Sequence, residues 1–304
     1  MLKSIFNYLI FPGFVFSSII GLLACWVDRK VSARIQWRVG PPWYQNFVDL
    51  IKLCGKETIV PKQAKMTFLL APCLGFLSLL LAATILGIAL FFPQESFTGD
   101  LIVVVYLLII PAIALIIGAS SSRNPLASVG ASREMKLVLG YELPFILSIA
   151  TVIIKSQGSI RLSDILTFQL NFNSFFSSPS GILAFIAALF CAQAKLGLTP
   201  FEVAEAEQEI MGGTLIEYSG PALAVFKLTK AVLLYTMPVL LIVLFLGKDI
   251  SPIFVIGKFI IILVVFILIK NTSPRLRIDQ VVRFFWGPVT AIATAAVVLA
   301  LLGR

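Results

Sequence analysis

The sequence LGLTPFEVAEAEQEIMGGTLIEYSG, residues 196–220, is the most acidic part of this chain and joins two apolar runs. It holds five of the fifteen acidic residues and no lysine or arginine. The flanking runs, near 181–197 and 222–246, are long enough to cross a bilayer. Carboxylates gathered beside membrane spans are costly and usually mark a path for ions or protons. The function is therefore predicted to depend on these carboxylates, which are Glu202, Glu205, Glu207, Glu209 and Glu217.

The composition of the whole chain predicts an all-α polytopic membrane protein. Of its 304 residues, 59% are hydrophobic and 13% are charged, which is about half the charged fraction of a typical soluble domain. In lipid, only helices and closed barrels provide a hydrogen-bond partner for every backbone N–H and C=O group. The apolar runs are continuous rather than alternating, which indicates helices. Eight transmembrane helices in a single membrane domain over 1–304 are predicted, near 5–27, 67–92, 101–119, 137–154, 181–197, 222–246, 253–270 and 284–302.

The positions of lysine and arginine predict how the chain lies in the cell (plasma) membrane. Most basic residues fall in the loops after the first, third and seventh spans. We therefore expect the odd-numbered loops to face the cytoplasm and both termini to face outward. Although the net charge is +9, these charges lie beside apolar runs. They predict contact with the lipid bilayer rather than with nucleic acid.

The first cytoplasmic loop is predicted to contain an amphipathic interfacial helix. In WYQNFVDLIKLCGKE, residues 43–57, Phe47, Leu50, Ile51 and Cys54 recur at helical spacing. A helix of this kind can also serve only to cover the bundle.

The acidic stretch is predicted to form a short helix that begins at Pro200 and ends before Gly212. At 100° per residue, such a helix places Glu202, Glu205 and Glu209 on one face. Two interpretations of this face remain open: a proton path, and a solvated acidic loop that docks a basic partner.

Further charged residues are candidates for the same site. Glu142 lies beside Pro144, where it can reach the bundle interior or, alternatively, cap the start of its helix. Lys230 lies about two turns inside the sixth span and is predicted to pair with a glutamate. Lys195 and Lys227 are expected to extend to the surface. Arg133 and Asp279 are other possible charge partners.

The sequence offers no evident site for a metal or a redox cofactor. The four cysteines are widely spaced and form no C-x-x-C pair, and the chain has no histidine. We therefore predict no catalytic residues, no metal ligands and no cofactor in this chain.

Several segments resemble one family. PFEVAEAEQEIMGGTLIEYSG at 200–220 is similar, position by position, to a segment of the complex I membrane subunit that joins the pumping arm to the redox arm. RIQWRVGPP at 34–42 and DLIKLCGKE at 49–57 resemble the first cytoplasmic loop of that family. GYELP at 140–144 resembles its Y-E motif, and PRLRIDQVVRFFW at 274–286 resembles its motif before the last span.

Within this superfamily the details resemble the membrane-bound, energy-converting nickel–iron hydrogenases. GPPWYQNFVDLIKLCGKE at 40–57 has their compact form, whereas complex I has a longer insertion that helps to line the quinone tunnel. ASVGASREMKLVLGYELPF at 127–145 is similar to a hydrogenase-type signature. Gly287, Lys227 and Lys230 depart from the complex I pattern. Sulfur-reducing relatives share this anchor, and a quinone-site subunit of a complex I-type dehydrogenase is the other alternative.

The resemblance implies a non-catalytic membrane subunit. Its implied partners are hydrogenase-like large and small subunits, a ferredoxin-like iron–sulfur subunit and antiporter-like membrane subunits. These partners would hold the iron–sulfur clusters and the nickel–iron site. Docking of the redox arm is expected at Arg34, Arg38, Asp49, Lys52, Arg275 and Arg277, and the ion path at Glu142 and the glutamates of residues 202–217.

Overall fold

The structure is a computed structural model that describes residues 2–62, 64 and 66–303, without the side chains of residues 2–5, 207 and 208. Within these ranges the chain is helical and contains no strand, so the predicted fold class is confirmed. The α-helices are α1 (Leu2–Leu9), α2 (Phe14–Ile35), α3 (Gln45–Cys54), α4 (Thr67–Phe91), α5 (Asp100–Leu107), α6 (Ile110–Ser121), α7 (Pro125–Lys155), α8 (Leu162–Asn171), α9 (Pro179–Lys195), α10 (Glu207–Ile210), α11 (Gly220–Phe245), α12 (Pro252–Thr272), α13 (Ile278–Phe284) and α14 (Thr290–Leu301).

Seven helical segments of the described residues are long and apolar enough to cross a membrane. They are Phe6–Ile35, Thr67–Phe91, Asp100–Ser121, Pro125–Lys155, Gly220–Phe245, Pro252–Thr272 and Ile278–Leu301. The remaining predicted span corresponds to α9, an apolar helix of 17 residues. The last span contains a π-helical turn, Phe285–Val289, around Pro288.

Two helices extend well beyond the apolar runs that predict them. α2 continues to Ile35, so that Arg29 and Arg34 lie on a helix instead of in a loop. α7 begins at Pro125, and the Asn124 side chain caps it by accepting a hydrogen bond from the Leu126 amide at 2.9 Å. With 31 residues, α7 is about 46 Å long, whereas the hydrocarbon core of a bilayer is about 30 Å thick. Hydrophobicity therefore predicts only the membrane-embedded part of each helix.

α11 forms the centre of the bundle. Residues 231–245 of this helix are all buried, and α2, α4 and α12 pack around it. Gly21 permits the closest approach, because a β-carbon at this position of α2 would lie only 2.5 Å from the carbonyl oxygen of Ala231. The two backbones are therefore in direct contact.

Four connections meet at one end of the bundle, which we call the polar end. The first consists of residues 36–44 and 55–62, on either side of α3, and the others are residues 122–124, 196–219 and 273–277. Hydrogen bonds join them to one another. They run from the Ile59 amide to Ser219 Oγ (2.9 Å), from the Leu276 amide to the Pro200 carbonyl (3.1 Å) and from Asn124 Nδ2 to Glu217 Oε1 (2.5 Å). The acidic stretch thus contacts all three of the other connections.

The helix predicted in the first of these connections is present as α3. Asn46 fixes it to α2 by donating a hydrogen bond to the carbonyl of Leu22 at 3.1 Å. None of its residues is fully buried, and Ile51 is 68% exposed. α3 therefore lies on the outside of the bundle.

Candidate functional site

The acidic stretch does not form the predicted helix from Pro200. Only Glu207–Ile210 is helical, and the chain then turns through positive φ angles at Met211, Gly212 and Gly213. The segment before it is irregular because its apolar side chains are drawn into the bundle: Phe201, Val203, Ala204 and Ala206 are all buried. The prediction of a single helical face that carries three carboxylates is therefore wrong.

Instead, three glutamates pair with cations from three different elements. Glu202 accepts a hydrogen bond from Arg275 in the connection after α12 at 2.9 Å. Glu205 pairs with Lys230 of α11. Glu209 pairs with Arg133 of α7 at 2.6 Å. Each pair links the acidic stretch to a separate part of the bundle, so these bonds hold its position.

A fourth ion pair is buried between α7 and α9. Glu142 pairs with Lys195, and the lysine side chain is only 2% exposed. The ammonium group also lies 4.7 Å from the ring centre of Tyr141 and 4.8 Å from that of Phe145. Glu142 Oε2 is buried and accepts no hydrogen bond from the residues that the structure describes. The expectation that Lys195 extends to the surface is wrong, because its carboxylate partner lies inside.

A cavity of about 70 Å³, which we call the inner cavity, lies among these groups. Its charged and polar lining consists of Glu134, Tyr141, Lys195, Glu202, Glu205, Thr229 and Lys230. A water needs roughly 10–15 Å³ of such volume, so the inner cavity has room for several waters with polar partners on its walls. The buried Lys195 and the partly buried Lys230 therefore both border the inner cavity.

Glu134 is the one carboxylate of this lining for which the described residues provide neither a hydrogen bond nor an ion pair. It is not among the predicted site residues. Its spacing from Tyr141 could have predicted it from the sequence. Seven residues are two helical turns, which place both side chains on one face of α7. Lys195 gives no comparable signal, since a lysine at the end of an apolar helix usually reaches water.

Other predicted residues, Glu217 and Asp279, are not part of the lining of the inner cavity. Glu217 accepts the hydrogen bond from Asn124 at the start of α7. Its neighbour Tyr218 stacks on Phe68 with ring centres 4.1 Å apart, and burial raises the pKa of the Tyr218 hydroxyl. The side chain of Glu207 lies outside the described residues. Asp279 is exposed and makes no ion pair with the described cations.

The predicted docking residues surround the polar end. Arg34, Arg38, Lys52 and Arg277 are exposed, whereas Asp49 binds Arg29 at 3.3 Å and Arg275 binds Glu202. A surface cleft of about 310 Å³ beside them is lined by Arg133, Glu209, Arg275, Arg277 and Asp279. Trp37 is 97% exposed and Val39 is 76% exposed, so the polar end also presents large apolar side chains on its surface.

Within the described part of the chain, no three His, Cys, Asp or Glu side chains come together as a metal site. The chemistry of this region is therefore that of ionisable side chains around a small cavity that has room for water.

Comparison with known proteins identifies the family of this chain. A sequence model of the NADH dehydrogenase family matches residues 8–301. A subunit of NADH-quinone oxidoreductase from Geobacillus sp. (strain WCH70) is 33% identical over 290 residues, which cover 90% of this chain and 85% of that protein. Its counterpart from Bacillus cytotoxicus is 33% identical over 299 residues, covering 92% and 87%.

Among solved structures, the membrane-bound sulfane sulfur reductase, an archaeal respiratory membrane complex, contains a similar chain. The TM-score is 0.89 at 28% sequence identity, covering 98% of this chain and 99% of that chain. The resemblance to the complex I superfamily is confirmed by both kinds of relative. By the match over nearly its whole length, the chain belongs to the NADH dehydrogenase family.

Proposed function

We propose that this chain is the membrane subunit that anchors the redox arm of a hydrogenase-like, energy-converting complex and couples its electron transfer to translocation of H⁺ or Na⁺. The observation that carries the proposal is the inner cavity. It is bordered by members of two lysine–glutamate pairs and by Glu134, which has no partner among the described residues. Residues of the acidic stretch form part of its wall. Ionisable side chains around a wet space at membrane depth are the usual components of an ion path.

The acidic stretch is the coupling element in this proposal. It is joined to α7, α11 and the connection after α12 through Glu209, Glu205 and Glu202. A displacement of the stretch by a docked subunit would change these three pairs together. Because two of them involve residues that line the inner cavity, such a displacement also changes the charge along the path.

The redox arm would dock at the polar end, which we assign to the cytoplasm because of its excess of lysine and arginine. The exposed cations and the exposed Trp37 offer the mixed basic and aromatic surface that protein interfaces favour. Hydrogenase-like large and small subunits and a ferredoxin-like subunit would bring the iron–sulfur clusters and the nickel–iron site. Antiporter-like subunits would continue the ion path within the membrane.

Two other complexes could use the same anchor. The similarity to the sulfane sulfur reductase favours a sulfur-reducing arm. The similarity to the NADH-quinone oxidoreductase subunits favours a quinone-reducing one. Purification of the chain with its native partners in mild detergent distinguishes them. We expect nickel in the complex and hydrogen evolution from reduced ferredoxin. Sulfur or quinone reduction without nickel would assign the complex to the corresponding alternative.

We expect loss of charge along the path to reduce ion translocation while leaving the complex assembled. Glu209→Gln removes a half-exposed pair, and Glu142→Gln combined with Lys195→Met removes the buried pair without leaving a lone charge. Translocation measured in proteoliposomes should fall at least about tenfold in the Glu142/Lys195 variant, since proton-transferring groups typically contribute that much or more. A smaller decrease is expected for Glu209→Gln.

The matched control is Glu217→Gln, because Glu217 is hydrogen-bonded at the start of α7 and does not line the inner cavity. Each variant is first tested for co-purification of all subunits. Normal translocation in both the Glu209 and the Glu142/Lys195 variants would contradict the carboxylate path.

A further inference from the structure

A second cavity opens on another side of α11. It has a volume of about 330 Å³ and lies between α2, α3 and α11. We call it the lateral cavity. Its charged and polar lining consists of Asp28, Arg29, Asn46, Asp49, Lys227 and Lys230, and its apolar lining consists of Leu22, Cys25, Leu50 and Ala231. The cavity is therefore suited to a ligand that has both a charged group and hydrocarbon.

The cations of the lateral cavity differ in how they are bound. Arg29 donates to Asn46 at 2.6 Å and to Asp49 at 3.3 Å, and Lys230 pairs with Glu205. Lys227 is exposed and has neither a hydrogen bond nor an ion pair with any described residue. The lateral cavity thus presents one uncompensated positive charge, which can bind an anion without breaking an existing pair.

On the α2 side of the lateral cavity, one carboxylate oxygen of Asp28 is available to accept a hydrogen bond. Asp28 is only 9% exposed, and its Oδ2 accepts a hydrogen bond from Lys270 at 2.7 Å. Its other oxygen, Oδ1, is buried and has no hydrogen-bond partner among the described residues. A buried oxygen without a partner costs free energy, so a donor supplied by a ligand would be bound favourably here.

The surroundings of the lateral cavity have the composition of a membrane–water interface. Its outer wall is α3, a helix on the outside of the bundle with an amphipathic pattern. Trp43 and Tyr44, at the start of α3, are 59% and 50% exposed. Exposed tryptophan and tyrosine side chains are typical of the membrane–water interface.

From these observations we propose that the lateral cavity binds the headgroup of a phospholipid whose headgroup carries a hydrogen-bond donor. The phosphodiester pairs with Lys227, and the ammonium or hydroxyl donor binds Asp28 Oδ1. The first methylenes of the lipid lie against Leu22, Leu50 and Ala231. This assignment goes beyond the coupling role.

The test is native mass spectrometry of the intact, delipidated complex titrated with dioleoylphosphatidylethanolamine. Lys227→Gln should weaken the tightest binding step about tenfold, the effect of losing one charge-assisted contact. Lys56→Gln is the matched control, because Lys56 is an exposed lysine outside the lateral cavity. Leu50→Trp, which fills the lateral cavity from the surface helix, should abolish the same step in a complex that still assembles.

Dioleoylphosphatidylcholine has the same phosphate but no headgroup donor, so it should bind more weakly than the ethanolamine lipid in the parent complex. Equal affinities in the Lys227→Gln and Lys56→Gln complexes would overturn the proposal. Displacement of the lipid by decylubiquinone at equal concentration would also overturn it, in favour of a quinone. Loss of translocation with unchanged lipid binding concerns the inner cavity and leaves this assignment standing.

Discussion

Lys195→Met is expected to lower the free energy of unfolding by about 3–5 kcal/mol, because removal of one member of a buried ion pair leaves an uncompensated charge. The lysine side chain is 2% exposed, and its ammonium group is the partner of Glu142. The other oxygen of Glu142 has no hydrogen bond within the described part of the chain, so no second donor compensates there. The effect can be measured as unfolding by a denaturing detergent, or as the loss of thermal stability of the purified complex.

A double-mutant cycle separates this charge effect from lost packing. Glu142→Gln alone should also lower the free energy of unfolding, since it leaves Lys195 without a carboxylate partner. The double variant Glu142→Gln with Lys195→Met should recover most of the stability, because a neutral pair carries no buried charge. The exposed pair Arg29–Asp49, with side chains 50% and 40% exposed, is the matched control and should contribute less than about 1 kcal/mol. A double variant as unstable as the sum of the single ones would contradict the pairing.

Trp37→Ala is expected to weaken attachment of the redox arm about 30-fold, or about 2 kcal/mol. Trp37 is 97% exposed and lies between the exposed Arg34 and Arg38. Tryptophan and arginine are the residues that most often dominate a protein interface when they become buried in it. Dissociation can be measured by washing the membranes with salt and following the redox subunits released.

Tyr106→Ala is the matched control, because Tyr106 is 67% exposed but belongs to α5 within a membrane-spanning segment. The membrane subunits should remain assembled in both variants. If the arm is retained equally by Trp37→Ala and Tyr106→Ala membranes, the polar end is not its docking surface.

The helical fold could be predicted from the sequence, because in lipid only helices and closed barrels can form all backbone hydrogen bonds. The existence of α4, α11 and α12 follows from continuous apolar runs. Helix ends could not be predicted in the same way. α2 and α7 continue past their apolar parts, where caps and contacts with neighbouring connections hold them. Hydrophobicity carries no information about these polar extensions.

The candidate site was predictable in composition but not in geometry. A dense group of glutamates beside membrane spans predicts a functional region, and a partner for Lys230 could be expected from its depth. The helix predicted for the acidic stretch does not form, because contacts between residues distant in sequence determine its conformation. These contacts are the burial of Phe201 and Ala206 in the bundle and the pairing of Glu202 with Arg275. Which lysine meets which carboxylate is likewise decided by helix packing. For this reason Glu142 is paired with Lys195, 53 positions away.

α7 carries both a surface contact, Arg133 with Glu209, and the buried Glu142. Pro144 has no amide hydrogen, so the carbonyl of Gly140 lacks its helical partner and the helix is weakest over residues 140–144. In the proposed coupling role, the turns from Pro125 to Gly140 would act as a lever whose pivot contains Glu142. Arg133 lies on this lever about 14 Å from Glu142. In the proposed coupling role, a tilt imposed at the surface would therefore reach the interior as a rotation around Glu142.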